Sequence, residues 1–264
     1  MAIVQSRRIL TVLLAVAGLT FVAASPAVAG QARPVPQRVA ADPQPSEVRA
    51  HRVNADGTIT EDIWDAAPGV SAKQLYQTLA AEKVQGLIDP DAAAVQVVPG
   101  DCGIQGAYAL ERRCGSDRLH WGNGPHPVVM FIDYTSAAWP VYDSVVKWNQ
   151  STALDSGYRW YTKGCNSVNC AYVHNGSYGA NGWNGHTSVN HSGLDPRVIL
   201  SAYIQLNDSY GLSTTEHRMV TCHELGHALG LDHNDYTSSC LFWYAQAGTT
   251  VPNTGDFLML DSIY

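Results

Sequence analysis

The second half of the chain carries hydrophobic patterns of two alternating kinds. The run PVVMFIDY at residues 127–134 is β-rich, and after it Val141, Val145 and Trp148 recur at i, i+4 and i+7. These spacings predict a strand that leads into an amphipathic helix with Pro140 near its first turn.

Further strands and two further helices are predicted downstream. The strands cover residues 158–162, 171–174 and 197–206. Ser213 and Glu216 have the spacing of a capping box, so a helix is predicted from Ser213 to about Leu229. The run DFLMLDSIY at residues 256–264 predicts a terminal helix.

The chain begins with the pattern of an export leader. Arg7 and Arg8 precede an apolar run at residues 9–24, and the small-residue sequence AVA follows at residues 27–29. Because the run is short and ends in a cleavage pattern, residues 1–29 are predicted to be a signal peptide rather than a membrane anchor. We therefore expect a secreted, extracellular protein.

Residues 30–118 are predicted to be an N-terminal extension or propeptide without a core of its own. Residues 30–50 are rich in proline and read as an extended linker. Leu75 and Leu79 lie at helical spacing, which predicts one helix within residues 71–88 that ends near Gly86.

Charge and hydropathy narrow the class of protein. The formal charge of -7 becomes -9 when the leader, with its two arginines and no acid, is removed. That balance excludes nucleic acid as an expected partner. The 45% hydrophobic content is ordinary for a chain that buries a core, and no stretch after the leader could span a membrane.

Six cysteines in an exported chain indicate three disulfides, with fifteen possible connectivities. Spacing favours the pairs Cys102–Cys114, Cys165–Cys170 and Cys222–Cys240. The last of these would brace the segment that holds most of the candidate chemistry.

That segment is TCHELGHALGLDHN, residues 221–234. On a helix, His223 and His227 lie on one face and can share a zinc ion, which needs a third protein ligand and an open position for catalysis. Gly230 just after the helix allows the chain to reverse and bring in His233 as that ligand. Glu224 flanks the pair and is the candidate general base.

A structural zinc site would instead be closed by a fourth protein ligand. The nearby candidates, Cys222 and Cys240, are better used by each other. The pattern therefore favours one catalytic Zn²⁺.

The run HELGHALGLDH resembles the signature of the metzincin zinc endopeptidases, and is most similar to its matrixin version. The resemblance covers about residues 119–264. It implies an α+β domain of two lobes, with a twisted mixed β-sheet, a zinc-binding active-site helix and a C-terminal helix. It further implies that substrate lies along an edge strand and that peptide bonds are hydrolysed by zinc-activated water with Glu224 as general base.

Two features depart from that family. Leu241 stands where metzincins have a methionine in a turn beneath the zinc, and we expect it to supply an apolar floor. Some metzincins also have a tyrosine two residues after that methionine, whereas here that position is Trp243 and the tyrosine is Tyr244. No catalytic role is therefore assigned to Tyr244. Residues 112–118, RRCGSDR, partly resemble the matrixin cysteine switch, in which a propeptide thiolate blocks the zinc; a disulfide at Cys114 is favoured, and the switch stays open as an alternative.

Other candidate ligands are weaker. His174, His186 and His191 fall in a Gly/Asn-rich region where a second zinc or a Ca²⁺ site is conceivable, but their spacing favours surface-loop histidines. Asp232 and Asp235 are interpreted as solvated or hydrogen-bonded loop acids.

The sequence thus predicts a secreted, monomeric zinc metalloendopeptidase that acts on proteins or peptides. Two alternatives remain open: a secreted protein that binds zinc without catalysis, and a zinc hydrolase of cell-wall peptides.

Overall fold

The computed structural model describes residues 47–93, 109–111, 119–122, 124–166, 169–234, 236–242 and 249–264. The predicted leader, most of the predicted linker, and Cys102, Cys114, Asp235 and Tyr244 lie outside the described residues.

The elements follow one another in a mixed order of strands and helices. The strands are β1 (Glu47–Val53), β2 (Ile59–Ala66), β3 (Leu87–Ile88), β4 (Ala109–Glu111), β5 (His120–Trp121), β6 (Val128–Asp133), β7 (Asp155–Trp160), β8 (Cys170–Gly176), β9 (Trp183–His191), β10 (Val198–Asn207) and β11 (Leu231–Asn234). The helices are α1 (Ala72–Ala81), α2 (Pro90–Ala93), α3 (Val141–Trp148), α4 (Thr214–Ala228) and α5 (Thr254–Ile263).

One mixed sheet organises the described residues, in the order β3-β1-β2-β9-β10-β8-β6-β7, with β5 beside β10. Strands β10, β8, β6 and β7 run parallel to one another. Strand β9 is antiparallel to β10 on one side and to β2 on the other. The α+β class and the mixed sheet predicted from the sequence are therefore confirmed, and β4 pairs separately with β11.

The helices predicted in the second half lie close to their expected positions. Helix α4 begins after Ser213, whose side chain forms the capping box with Glu216. Helix α5 begins two residues earlier than predicted because Asn253 caps it with a second capping box. No described helix is long and apolar enough to cross a membrane.

Helix α1 is shorter than predicted, since it ends at Ala81 rather than near Gly86. Gly86 has a φ of +75°, and a Cβ there would lie 2.2 Å from the backbone oxygen of His51. The chain instead leaves the helix, passes close to β1 and adds the short strand β3.

The main core lies between the sheet and helices α3, α4 and α5. Its members include Trp121, Phe131, Trp148, Leu225 and Leu260, all at most 1% exposed. This core fixes α4 against the sheet.

A second hydrophobic cluster lies under α1. It contains Val48, Ala50, Trp64, Ala66, Ala72, Leu75, Leu79 and Trp183. Seven of these eight residues belong to the predicted extension, and they pack together with Trp183 of β9 rather than as a core of the extension alone. Residues 47–93, hereafter the N-terminal segment, fold as strands and a helix against Trp183 of β9 and continue the sheet beyond it.

Candidate metal centre

Helix α4 presents two imidazoles from one buried face. His223 and His227 are fully buried, and the helix between them is held closely at Gly226. A Cβ at Gly226 would lie 2.7 Å from the Trp148 side chain and 2.8 Å from that of Leu241, so only glycine lets both side chains pack there. Leu241 is fully buried and lies against the helix at Gly226.

The chain reverses directly after this helix. Gly230 has a φ of +90°, and a Cβ there would lie 2.6 Å from the backbone oxygen of Leu119. The last carbonyls of the helical region accept hydrogen bonds from the Trp121 indole and the Tyr264 hydroxyl, at 2.9 and 3.0 Å. This reversal places β11 so that His233 returns to the helix.

Three Nε2 atoms converge as a result. Those of His223 and His233 are 3.1 Å apart. The Nδ1 atoms of His223 and His227 lie 2.8 and 3.0 Å from the carbonyls of Cys240 and Leu231. A carbonyl accepts, so each Nδ1 carries the proton and each Nε2 is left as a lone-pair donor.

This arrangement fits a zinc ion. Two ligands at 2.0–2.1 Å from a tetrahedral zinc lie about 3.3 Å from each other. The measured separation of the two Nε2 atoms is close to that edge. His223, His227 and His233 would hold the ion.

Glu224 lies beside these imidazoles, fully buried. Its Oε2 accepts a hydrogen bond of 2.5 Å from the Thr187 hydroxyl on β9. A Cβ at Gly185 of the same strand would lie 2.0 Å from Glu224 Oε1, so the carboxylate occupies space that any other residue would fill. Burial and the nearby Asp65 carboxylate raise the pKa of Glu224 well above its ordinary value.

A buried polar network supports the turn below the imidazoles. Asp256 of α5 accepts hydrogen bonds from Ser239 Oγ and Asn234 Nδ2, both at 2.7 Å, and from the Asn253 backbone. The Cys222–Cys240 disulfide joins α4 to the same turn, and Cys165–Cys170 is also formed. Helix α5 thereby fixes the carbonyl that orients His223.

A carboxylate that sequence reasoning missed completes the cluster. Asp65 of β2 has Oδ1 at 3.3 Å from His223 Nε2 and 3.4 Å from His233 Nε2, and Oδ2 at 3.6 Å from His227 Nε2. All four side chains fall within one group of possible metal ligands. The two distances from Oδ1 are close to the edge of a tetrahedron around zinc, so Asp65 stands where a fourth ligand would.

Carboxylates and basic side chains alternate around this cluster, and each shifts the pKa of its neighbours. Burial opposes ionisation of Asp65, yet the surrounding imidazoles hold its pKa well below its usual range. Burial also lowers the pKa of His233, but Glu47 and Asp65 outweigh it and raise that pKa to about 9. Arg49 contacts Glu47 and lies 2.6 Å from Asp232, which ties β1 to the strand that holds His233.

The three weaker histidine candidates do not join the site. His174 and His191 lie on strands rather than in a loop: the first stacks on Tyr134 and the second is 3.5 Å from Glu61. His186, also on β9, contacts Trp64, so the expectation of surface-loop histidines is wrong for this region. Within the described residues the possible ligand groups gather at the three imidazoles and at Glu47, Asp232 and His233, which gives a Ca²⁺ site no support.

A sequence signal for Asp65 does exist. The stretch ITEDIWDA at residues 59–66 has apolar and acidic positions mixed in a β-type pattern, and a carboxylate within a buried strand needs a partner. The histidines that Asp65 contacts are 158 or more positions further along the chain, so the stretch alone does not identify them.

The family model Reprolysin_5, described as metallo-peptidase family M12, matches residues 129–263. This range spans the sheet from β6 onward together with α3, α4 and α5. No curated protein matches the chain.

Proposed function

The chain belongs to metallo-peptidase family M12, and on that premise we propose that it is a secreted zinc-dependent endopeptidase with Glu224 as its general base. The observation that carries the proposal is the convergence of three Nε2 donors beside the buried Glu224 carboxylate. The family supports the peptidase class and zinc; the roles of individual residues rest on the geometry.

The metal site, Glu224 and Thr187 have separate roles in the proposed reaction. A zinc ion held by His223, His227 and His233 would act as a Lewis acid that makes bound water more acidic and polarises the substrate carbonyl. Glu224 accepts the proton of the attacking water and delivers it to the leaving amine. Thr187 donates a hydrogen bond to one carboxylate oxygen of Glu224, and the other, Oε1, is buried without a hydrogen-bond partner among the described residues.

An extended polypeptide already passes through the site, which favours endopeptidase over exopeptidase action. Strand β2 pairs with β9 from Ile59 to Ala66, and Asp65 near its end faces the imidazoles. Chain continues on both sides of Asp65, since α1 follows β2. A substrate on β9 can therefore extend beyond the reaction centre in both directions.

The test compares wild type with Glu224→Gln and Glu224→Ala, measuring zinc content and peptide cleavage after the N-terminal segment has been removed. We expect one zinc per chain in all three and loss of turnover by a factor of about 10² to 10⁴ in both variants. Chelation should abolish wild-type turnover. Full zinc with no cleavage of any protein or peptide would favour a non-catalytic zinc protein, and cuts confined to cell-wall peptides would favour the other alternative.

We further propose that the full chain is latent because Asp65 takes the position that water needs. Aspartate oxygen is an ordinary zinc ligand, and a site with four protein ligands is closed. The extension predicted as a propeptide would then act through this carboxylate. Residues 94–118, which separate the N-terminal segment from β5, are where a cut would release it.

Asp65→Asn in the full chain tests the latency. We expect its Co²⁺-substituted form to change visible spectrum as one charged ligand is replaced. We also expect the peptidase activity of the uncut chain to rise, because β2 is no longer held by the ion and leaves β9 more readily. Asp62→Asn is the matched control. Asp62 lies on the same strand but contacts Arg52 and His186 instead of the three histidines of the metal centre. If both variants activate the chain equally with unchanged cobalt spectra, strand docking rather than ligation causes latency.

A further inference from the structure

Three aromatic rings of the C-terminal part line the edge of the sheet that β2 covers. Tyr178 and Trp183 have ring centroids 5.2 Å apart, and Trp183 and His186 are 6.0 Å apart in an edge contact. We call these three side chains the aromatic shelf. His186 Nδ1 lies 2.8 Å from Gln205 Oε1 of β10, so the ring is oriented from within the sheet.

The side chains of β2 alternate between this shelf and the metal centre. Asp65 faces the imidazoles, whereas Trp64 stacks flat on His186 with centroids 4.5 Å apart and planes at 2°. Asp62, two positions earlier, places Oδ1 at 3.0 Å from His186 Nε2. This alternation is the ordinary period of a strand.

We propose that the aromatic shelf is a substrate subsite, which receives an aromatic side chain one position before the residue that faces the zinc. The proposal rests on the proposed peptidase function. It states that substrate replaces β2 on β9 with the same antiparallel direction, and that His186 and Trp183 select the residue that takes the place of Trp64.

The backbone and the side chains both support this assignment. Strand β9 passes beside Glu224 at Gly185 and Thr187, so a peptide must lie along β9 to reach the general base. A strand added at this edge makes the same main-chain hydrogen bonds whatever its sequence, and specificity then comes from alternate side chains. The first such side chain outside the metal centre meets His186.

The size of the preference follows from aromatic stacking. Pairs of rings at this separation favour binding enough to change selectivity by up to about tenfold beyond simple burial. An acidic residue two positions before the aromatic one adds a contact with His186 Nε2, as Asp62 does.

The experiment uses the full chain, folded and then cut at a site-specific protease sequence placed between residues 94 and 108, with the released segment separated. Two peptides are compared that differ only in Trp or Ala at one position, within the context Asp-Ile-Trp. We expect wild type to prefer the Trp peptide about tenfold in kcat/KM and to cut one or two residues after Trp. His186→Ala should clearly lower the ratio and leave the part due to Trp183 and to burial of the ring, and His186→Phe should keep the ratio while losing the preference for the acid.

The outcomes separate the two proposals. If wild type cuts neither these peptides nor any peptide of a mixed library, the peptidase function fails. If it cuts both peptides equally, or if His186→Ala keeps the tenfold ratio, the shelf serves only to dock the N-terminal segment and the inference is overturned. A cut on the N-terminal side of Trp overturns the assigned strand direction.

Discussion

The clearance between Gly185 and Glu224 leads to a prediction of large effect from one methyl group. A Cβ at position 185 would lie 2.0 Å from Glu224 Oε1, 2.6 Å from Cδ and 2.9 Å from Cγ, whereas ordinary contact begins at 3.4 Å. In Gly185→Ala the carboxylate oxygen must therefore retreat by about 1.4 Å, the difference between contact and clash. The hydrogen bond from the Thr187 hydroxyl to Glu224 Oε2 opposes that movement.

A misplacement of about 1 Å in a reacting group can lower a rate about 10²-fold. We expect Gly185→Ala to reduce kcat/KM by about that factor, with one zinc still bound because the imidazoles are untouched. Overpacking of this kind costs about 1–3 kcal/mol of unfolding free energy. The assay is fluorogenic peptide cleavage by the cut enzyme, together with atomic absorption for zinc and chemical denaturation for stability.

Gly211→Ala is the matched control, because a Cβ there meets nothing within 4 Å. It should leave kcat/KM within about twofold of wild type and the free energy of unfolding within about 0.5 kcal/mol. Wild-type kcat/KM in Gly185→Ala would refute the reasoning, since Glu224 would then not need the position described. Loss of zinc in that variant would also refute it, because the damage would lie in the metal centre and not in the base.

Three further substitutions test the support of the metal centre. Gly230→Ala places a side chain at a φ of +90° against a backbone oxygen and should cost about 1–3 kcal/mol of unfolding free energy, with weaker zinc binding in a competition titration. Asp256→Asn replaces an acceptor of three hydrogen bonds and should cost a similar amount, about 1–3 kcal/mol, in chemical denaturation. Removing Cys222–Cys240 with paired serines should cost about 3 kcal/mol by the same measurement and slow the return of zinc binding after refolding.

The first two of these changes have a clear contradicting result. Unchanged zinc affinity in Gly230→Ala would mean that His233 reaches the site without the reversal at that glycine. Wild-type stability in Asp256→Asn would mean that the network below the imidazoles does not hold the turn.

The helices of the second half were predictable because their signals are local. The capping box at Ser213 and the periodic positions Val141, Val145 and Trp148 each depend on residues within one or two turns, and the structure has both helices there. The reversal at Gly230 was also readable, since a positive φ after a helix favours glycine.

Strand β9 was missed because its sequence, WNGHTSVNH, has few of the residues that favour strands. Its pairing on both sides and the burial of Gly185 and Thr187 come from tertiary contacts, which no local pattern reports. The sequence analysis also assigned no strand to β1 or β2. The linker was inferred from prolines at positions 34–45, and β1 begins only at Glu47.

The candidate site was predictable where its spacing is fixed by one helix and one turn. His223, His227, His233 and Glu224 fall within eleven consecutive positions, whereas Asp65 comes from a distant strand. The fourth position of the cluster therefore depends on topology. A sequence pattern alone has no means of assigning it.

The pairing of β2 with β9 also bears on how this protein should be produced. Expression of residues 119–264 alone would leave β9 with unpaired backbone groups along one edge and Trp183 without the helix that covers it, a combination that invites aggregation. Synthesis of the whole chain, followed by cutting after it has folded, keeps that edge protected while the rest of the sheet forms. Strand β2, which we propose keeps the full chain latent, would thus also protect the edge of β9 while the protein folds.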